Sequence, residues 1–383
     1  MRIAVVFDSL SIGGIESVGL NYIKLMLEMG HNVDVFNLHP DQDDMVCKLD
    51  KTATYIPFRF DRKICPDLYS YGIKKWWWAK YAYPILYPVL SLALLTKKKY
   101  SNEKYDIAIA FSGHINDLTF IAKHLINAKK KIVWCHGTLL SYLAICDAYP
   151  VLYRMIDTIV NLSDQGQHNV YAGHSFLHEK EIKTIYNPVF IRCNDVDENK
   201  VDALKKKYGD FVLMIARATP QKDHKTAIDA IKILNRNGLK KKIVFVGDGE
   251  LLPEIRKYAE ENGVAEYCVF EGNKYDVQNY IKASFIGLLA SNYEGLPTVI
   301  AESMAFGKPC VMTKSDGGEI SGNGQYCLLT EIGNADEIAK CLFKLYSEEK
   351  TYEKYSQLAL KRFEKFDPNN IKIELQSILK ISD

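Results

Sequence analysis

The amino-acid sequence predicts an α/β protein of two domains, each folded around a doubly wound parallel sheet. The chain has 383 residues, which is too long for one ordinary core and suits two domains of typical size. In both halves, short apolar runs alternate with amphipathic helical patterns, which is typical of parallel strands joined by crossover helices. We find no internal repeat of solenoid length.

Short apolar runs predict five strands in each half of the chain. Turn-forming Gly, Asn or Ser residues follow these runs, and amphipathic stretches come next. In the first half the predicted strands are Ile3–Phe7, Val33–Asn37, Ile107–Phe111, Ile132–Cys135 and Thr158–Leu162. In the second half they are Val212–Ala216, Ile243–Val246, Cys268–Glu271, Ile286–Ala290 and Pro309–Thr313.

The domain boundary is predicted near Asn187-Pro188, where a proline ends an extended run. The first domain then covers residues 1–188 and the second covers residues 189–366. A last amphipathic stretch, residues 367–383, follows the completed second sheet. Its pattern alone leaves two placements open, because it either closes the second domain or packs back on the first.

The composition is that of an ordinary globular protein. The formal net charge is +2, so the overall charge does not favour nucleic acid or a strongly acidic partner. The nine cysteines show neither a C-x-x-C pair nor zinc-site spacing, which indicates reduced thiols in a cytosolic compartment. Cys135 is expected to be a small buried thiol. The N-terminus has too short an apolar run for a signal peptide.

The segment from Glu294 to Glu302 is the first candidate for chemistry. It follows the predicted strand Ile286–Ala290, and open parallel sheets bind ligands beyond the carboxyl ends of their strands. Pro297 suits the first turn of a helix, and Gly307 is placed to end it. Free backbone N–H groups at the start of such a helix form a site for an anion or a sugar hydroxyl.

Four residues of this segment are assigned to the substrate. The backbone around Gly295 and Leu296 would face the ligand. Glu302, on the second turn of the helix, would accept hydrogen bonds from the two hydroxyls of a ribose. Glu294 would accept hydrogen bonds from the hydroxyls of a bound sugar. The alternative is that Glu294 caps the helix and Glu302 lies on its surface.

Arg217 and Lys222 are the second candidate. Both follow the strand Val212–Ala216 and precede a helix that begins near Lys225. Two cations at a strand end suit a diphosphate, because they neutralise the charge that builds on the leaving group as the glycosidic bond breaks. The alternative is that both side chains are solvated in an exposed loop.

The first domain offers Gly13-Gly14 and His136. Adjacent glycines after the first strand let the backbone approach a phosphate or an acceptor closely. The pattern is not G-x-G-x-x-G, so a dinucleotide site is poorly supported. His136, at a strand end, would bond a sugar hydroxyl or stabilise positive charge through its carbonyl; a structural histidine is the alternative.

No metal site is predicted from the sequence. Asp41-Gln-Asp43 and Asp195-Val-Asp197 match a D-x-D pattern that could hold a metal–diphosphate. Both lie in polar connecting segments far from the strand ends, so we interpret them as solvated loops.

Together these residues resemble the retaining glycosyltransferases of family 4, whose architecture of two Rossmann-like domains is called GT-B. The resemblance runs over nearly the whole chain, and its motifs are specific in combination. They are Gly13-Gly14, His136, Asn187-Pro188, Arg217 with Lys222, Val246-Gly-Asp-Gly249, Glu294 to Glu302, and Asp316-Gly-Gly-Glu319. The resemblance implies two domains that face each other across a cleft, and a final helix that crosses back to the first domain.

The resemblance also implies a role for each site residue. Glu302 would hold the donor ribose, and Glu294 would hold the transferred sugar. His136 would contact the sugar near the reaction centre. The residues implied to hold the diphosphate are Arg217 and Lys222. The implied activity is hexosyl transfer with retention, without a protein nucleophile, a bound metal or another cofactor.

One departure from the family pattern bears on the substrate. The chain reads Glu-Gly-Leu-Pro where Glu-x-Phe-Gly-Leu is common, and the shorter form occurs among relatives that build surface polysaccharides. This departure leaves the donor sugar undetermined. We expect a UDP-sugar donor and a lipid-linked glycan acceptor. The alternatives are a sugar-nucleotide epimerase, a sugar phosphorylase, or a non-catalytic partner subunit that binds nucleotide sugars.

Residues 74–99 are predicted to lie at a membrane surface. The stretch from Leu68 to Asn102 has no acidic residue, and six lysines bracket Trp76-Trp77-Trp78 and an apolar run to Leu95. Tryptophan and lysine suit the headgroup level of an anionic leaflet. Lysine and proline within the run argue against a membrane span, so we expect a peripheral protein at the inner face of the membrane. The alternative is a core helix with a basic rim.

Overall fold

In the computed structural model the chain forms two compact units, Met1–Pro188 with Pro368–Asp383, and Val189–Asp367. The structure describes residues 1–62, 65, 103–123, 125–136, 148–162, 177, 179–191, 196–294, 296–315 and 318–381. Each unit contains one parallel sheet with helices around it, which confirms the predicted fold class.

The first unit contains a seven-stranded sheet in the order β3-β2-β1-β4-β5-β6-β7, and every neighbouring pair is parallel. Its strands are β1 Arg2–Phe7, β2 Asn32–Asn37, β3 Thr54–Pro57, β4 Lys104–Ala110, β5 Asn127–Cys135, β6 Thr158–Asn161 and β7 Glu181–Thr184. All five predicted strands are confirmed. The unpredicted strands, β3 and β7, lie at the two edges, where partial exposure removes the continuous apolar signal.

The centre of this sheet is buried on both faces. Ile3 through Phe7 of β1 have no exposed surface, which explains why the strand reads as an unbroken apolar run. The described helices that follow strands in this unit are α1 Gly14–Glu28, α2 Ile115–Ala122 and α3 Ala148–Tyr153. Gly19 lets α1 approach β1 closely, since a Cβ atom there would lie 2.4 Å from the Phe7 ring.

The second unit contains a six-stranded parallel sheet in the order β10-β9-β8-β11-β12-β13. Its strands are β8 Val212–Ile215, β9 Ile243–Val246, β10 Cys268–Gly272, β11 Ile286–Leu289, β12 Cys310–Thr313 and β13 Leu328–Thr330. The five predicted strands are again confirmed, and the missed one is a three-residue edge strand. Because the winding direction reverses between β8 and β11, their carboxyl ends mark the crevice where such sheets bind ligands.

The helices of the second unit are α4 Glu198–Tyr208, α5 His224–Arg236, α6 Leu252–Glu261, α7 Val277–Ala283, α8 Thr298–Ala305, α9 Ala335–Ser347 and α10 Glu349–Phe363. They bury apolar side chains against both faces of the sheet. Helix α8 is ended by Gly307, as predicted, because the glycine adopts a positive φ of 63°.

The last helix, α11 Pro368–Ile378, is part of the first unit. It buries Ile371 and Leu375. Lys372 Nζ lies 2.7 Å from a carboxylate oxygen of Glu28 at the end of α1. Lys130 of β5 donates a hydrogen bond to the carbonyl oxygen of Ile378 over 2.8 Å.

The segment predicted to meet a membrane, residues 74–99, lies outside the described residues. Within the described part of the chain, none of the helices combines the length and apolar character needed to span a membrane. The seven cysteines in that part are free thiols. Cys135 is buried, as predicted, and burial raises the pKa of its thiol to about 12.

Candidate active site

A cavity of about 720 Å³ opens in the second unit at the carboxyl ends of β8, β9 and β11. Four sequence-predicted site residues line it: Arg217, Lys222, Glu294 and Leu296. The remaining walls come from the turn after β9, the loop after β10 and the first turn of α8. The fifth predicted residue of this region, Gly295, lies outside the described residues.

Lys222 and Glu294 are in direct contact in this cavity. Lys222 Nζ lies 2.5 Å from Glu294 Oε1, and their side chains are only 22% and 8% exposed. They are brought together because β8 and β11 are neighbours in the sheet, although 72 residues separate them in the chain. Sequence reasoning assigned the lysine to a diphosphate and the glutamate to a sugar; the structure adds that the two form an ion pair.

Backbone and amide hydrogen bonds fix the two loops that carry this pair. The N–H of Asn292 donates to the carbonyl oxygen of Gln221 over 2.8 Å, and Gln221 Nε2 donates to the carbonyl oxygen of Tyr293 over 2.8 Å. On the other side, Asp223 adopts a left-handed conformation with φ of 43° and caps α5 by accepting from the N–H of Thr226. The cation and the carboxylate are therefore held before any ligand binds.

Arg217 lines the same cavity as this pair and is exposed. No described residue forms a hydrogen bond or ion pair with its guanidinium group. An unpaired guanidinium on a cavity wall is available for an anionic ligand, and its planar donors suit phosphate oxygens.

The turn Gly247-Asp248-Gly249 forms another wall by running against the backbone that follows β8. The N–H of Ala218 donates to the carbonyl oxygen of Asp248 over 3.0 Å. A Cβ atom at Gly247 would lie 2.1 Å from the carbonyl oxygen of Ala216, and φ at that glycine is +137°. Only glycine fits this close approach, which explains the Val-Gly-Asp-Gly motif.

Glu302 lines a separate, smaller cavity of about 130 Å³ together with Phe190, Gln278 and Phe306. The two cavities share Val277, and Thr298 on the turn of α8 before Glu302 lines the larger one. Burial raises the pKa of Glu302 to about 7. No described residue bonds to its carboxylate, so its hydrogen-bonding capacity is open to a ligand.

Lys274 is a cation of the larger cavity that sequence reasoning missed. Its Nζ lies 2.9 Å from Glu271 Oε2, and the hydroxyls of Tyr208 and Tyr280 also donate to Glu271. Burial alone would raise the pKa of Glu271, but the hydrogen bonds from Tyr208, Lys274 and Tyr280 lower it to about 2. The signal was present, because Lys274 follows β10 as Arg217 follows β8.

His136 and Gly14, the predicted residues of the first unit, are not part of these two cavities. The Nε2–H of His136 donates to the carbonyl oxygen of Phe111 over 2.7 Å. Burial lowers the pKa of His136 to about 4, which makes the ring neutral. Gly14 is exposed and begins α1, and nothing lies within 4 Å of where its Cβ would be.

The two D-x-D segments have structural contacts. Asp41 is exposed and pairs with Arg59 over 2.7 Å. Asp197 caps α4 by accepting from the backbone N–H groups of Asn199 and Lys200, while Asp195 falls outside the described residues. Across the described ranges, no group of three or more His, Cys, Asp or Glu residues is placed to hold a metal ion. Metal independence stays a prediction.

Comparisons with known sequences agree with the resemblance. The family described as Glycosyl transferases group 1 matches residues 195–362. N-acetyl-alpha-D-glucosaminyl L-malate synthase of Bacillus anthracis is 24% identical over 387 residues, covering 96% of this chain and 94% of that protein. UDP-Gal:alpha-D-GlcNAc-diphosphoundecaprenol alpha-1,3-galactosyltransferase of Escherichia coli is 25% identical over 274 residues, covering 67% of this chain and 69% of that protein.

Solved structures share the fold at low sequence identity. Anabaena Alr3699/HepE in complex with UDP superposes with a TM-score of 0.73 at 19% identity, covering 99% of both chains. The lipopolysaccharide outer core galactosyltransferase WaaB in its apo form gives a TM-score of 0.65 at 20% identity, covering 98% of both. The chain therefore has the GT-B fold.

Proposed function

We propose that the protein transfers a hexose, with retention, from a UDP-sugar to a lipid-linked glycan acceptor, because residues 195–362 match the family described as Glycosyl transferases group 1. The observation that carries the proposal is the cavity at the switch point of the second sheet. Its wall combines an unpaired guanidinium, a lysine and a buried carboxylate, the groups that a sugar diphosphate requires.

The proposed step breaks the bond between the anomeric carbon and the β-phosphate oxygen, and the bonding electrons pass to that oxygen. Arg217 and Lys222 stabilise the developing negative charge. The acceptor hydroxyl oxygen forms the new bond on the same face of the sugar, and its proton passes to the departing phosphate. Glu294 accepts hydrogen bonds from sugar hydroxyls and orients the ring, and Glu302 accepts from the ribose hydroxyls.

Two relatives and one solved structure support the choice of substrates. The Escherichia coli relative uses a UDP-sugar and an acceptor linked to diphosphoundecaprenol, and the Anabaena structure holds UDP. A Campylobacter jejuni relative, 24% identical over 286 residues, also acts on a diphospho-undecaprenol acceptor. These relatives support a UDP-sugar donor and a lipid-linked acceptor. We further propose that the protein acts at the inner membrane face, which residues 74–99 would contact.

A small hydroxy acid is the second candidate acceptor. The Bacillus anthracis relative, which matches 96% of this chain, is named for a product in which N-acetyl-alpha-D-glucosamine is joined to L-malate. Transfer to L-malate in place of a lipid-linked sugar would favour this candidate and leave the donor site as proposed.

Saturation-transfer NMR against a panel of UDP-, GDP- and ADP-sugars tests the donor site. We expect one UDP-sugar to bind the wild type, to bind poorly to Glu302→Ala, and to bind normally to the exposed control Glu266→Ala. That sugar is then offered with a water-soluble alkyl diphosphate bearing α-linked N-acetylglucosamine, or with L-malate, and the anomeric coupling of the product reports retention. If the folded wild type binds no nucleotide sugar, the proposal fails.

A further inference from the structure

A cluster of polar side chains lies at the carboxyl ends of three neighbouring strands in the first unit. Asp8 directly follows β1, His39 follows β2, and His114 follows β4. The sheet order β2-β1-β4 places β1 between the other two strands, so the aspartate lies between the two histidines. This edge of a parallel sheet is where ligands bind in such folds.

Both imidazoles are oriented by the same residue, Asp8: its carboxylate bonds His114, and its backbone carbonyl oxygen bonds His39. His114 Nδ1 lies 3.1 Å from Asp8 Oδ2, and His39 Nδ1 lies 3.2 Å from Asp8 Oδ1 and 2.7 Å from the Asp8 carbonyl oxygen. Asn116 Nδ2 donates to Asp8 Oδ1 over 2.7 Å. The N–H of Asp8 donates to Ser112 Oγ over 3.0 Å, which fixes the backbone as well.

The arrangement leaves the outer nitrogen of each ring unused. In each histidine Nδ1 faces Asp8, and no described residue bonds to Nε2 of either ring. The side chains of His39 and His114 are 41% and 45% exposed, whereas Asp8 is 24% exposed. A carboxylate or backbone carbonyl oxygen that fixes the inner nitrogen and leaves the outer one exposed is the arrangement that orients histidines for a ligand.

The charges favour an uncharged ligand. Burial would raise the pKa of the Asp8 carboxyl, but hydrogen bonds from His114 and Asn116 outweigh burial and lower it. The hydrogen bond to Asp8 raises the pKa of His114. An ionised aspartate in contact with both rings disfavours a phosphate, whereas a sugar hydroxyl both donates and accepts hydrogen bonds and therefore suits Nε2.

We propose that His39 and His114, oriented by Asp8, form a subsite on the first unit that binds hydroxyl groups of the acceptor sugar. The subsite rests on the proposed function, since an acceptor is required only if the protein is a glycosyltransferase. His39 and His114 touch the acceptor through Nε2, and Asp8 is a positioning residue.

The test compares wild type with His39→Gln, His114→Gln and Asp8→Asn, using the alkyl diphosphate N-acetylglucosamine probe. His31→Gln is the matched control, because His31 directly precedes β2 and therefore lies at the amino ends of the strands, away from the cluster. We expect the acceptor KM to rise about tenfold in each of the first three variants, the effect of one lost hydrogen bond. As the acceptor KM rises, the ratio of transfer to acceptor-independent donor hydrolysis falls. The control variant behaves as wild type.

Other outcomes overturn the proposal. An acceptor KM within about twofold of wild type in both histidine variants would assign the cluster a purely structural role. A parallel loss of donor hydrolysis and transfer, with the acceptor KM unmoved, would do the same. Histidine Cε1–H resonances, assigned from the variants, give a second readout: if the probe shifts neither His39 nor His114, the subsite is wrong even where transfer occurs. Absence of both donor binding and hydrolysis in wild type would instead contradict the proposed function.

Discussion

Lys222 and Glu294 form an ion pair of 2.5 Å that joins the loops after β8 and β11 on the wall of the cavity of about 720 Å³. The pair is mostly buried, so removing one partner leaves the other charge uncompensated. It couples the residue proposed to stabilise the leaving group to the residue proposed to orient the sugar.

Lys222→Met is expected to lower kcat/KM for the donor by about 100-fold or more, comparable to the loss of one transition-state donor. The exposed Lys225 is the control, since it pairs with Glu254 on the outside of α5 and α6. Lys225→Met should leave the kinetics unchanged.

Glu294→Gln combined with Lys222→Met should cost less activation free energy than the sum of the single changes, because the two side chains act together. Additive losses would show that the pair is not a functional unit.

The affinity for a UDP-sugar is expected to rise about tenfold between roughly pH 6 and pH 8, because Glu302 titrates there and only its ionised form accepts from both ribose hydroxyls. Burial raises the pKa of Glu302 to about 7, so the carboxyl is mostly protonated below that pH and ionised above it. Isothermal titration calorimetry across this pH range measures how steeply the affinity for the UDP-sugar changes with pH. Glu302→Gln should bind more weakly and show no such slope; an equal slope in the variant would assign the titration to another group.

Gly247→Ala is expected to destabilise the second unit by about 2–4 kcal/mol and to abolish donor binding. The added Cβ would lie 2.1 Å from the carbonyl oxygen of Ala216, which is backbone and cannot rotate away. Gly263→Ala is the matched control: φ there is +65° and nothing lies within 4 Å of the added atom. Its cost should be limited to backbone strain of about 1 kcal/mol. If denaturant unfolding gives the same loss of unfolding free energy for Gly247→Ala and Gly263→Ala, the steric explanation is contradicted.

Lys274→Met is expected to weaken donor binding about tenfold, as the loss of one charge-assisted contact would. Lys207 provides an unusually close control, because its Nζ lies 3.3 Å from the same Glu271 but it does not line the cavity. Lys207→Met removes a partner of Glu271 without removing a cation from the site, so it should bind the donor normally. Equal weakening in both variants would mean that Lys274 acts only through Glu271.

The sequence predicted most of the sheet frame because parallel strands such as β1 are buried on both faces and read as apolar runs. It did not reveal β3, β7 or β13, which are short edge strands with partly exposed residues. Strand ends therefore served as the guide to candidate residues, and Arg217, Lys222 and Glu294 were found in this way.

The rest of the site depends on information that no local pattern carries. The pairing of Lys222 with Glu294 requires β8 beside β11, and the cluster around Asp8 requires β1 between β2 and β4. His39 and His114 are each a lone histidine in the sequence, and their convergence follows from strand order alone. Glu302 was placed on the correct helix, yet its side chain lines a neighbouring cavity rather than the one that holds Glu294.

The membership of α11 in the first unit has a consequence for synthesis. The chain leaves that unit at Pro188, builds the whole of Val189–Asp367, and only then supplies Pro368–Ile378. The surface that receives Ile371 and Leu375 stays uncovered while the ribosome translates the intervening 179 residues of the second unit. The first unit therefore lacks its last helix until the second unit has been synthesised, and its folding is completed only after that helix has left the ribosome.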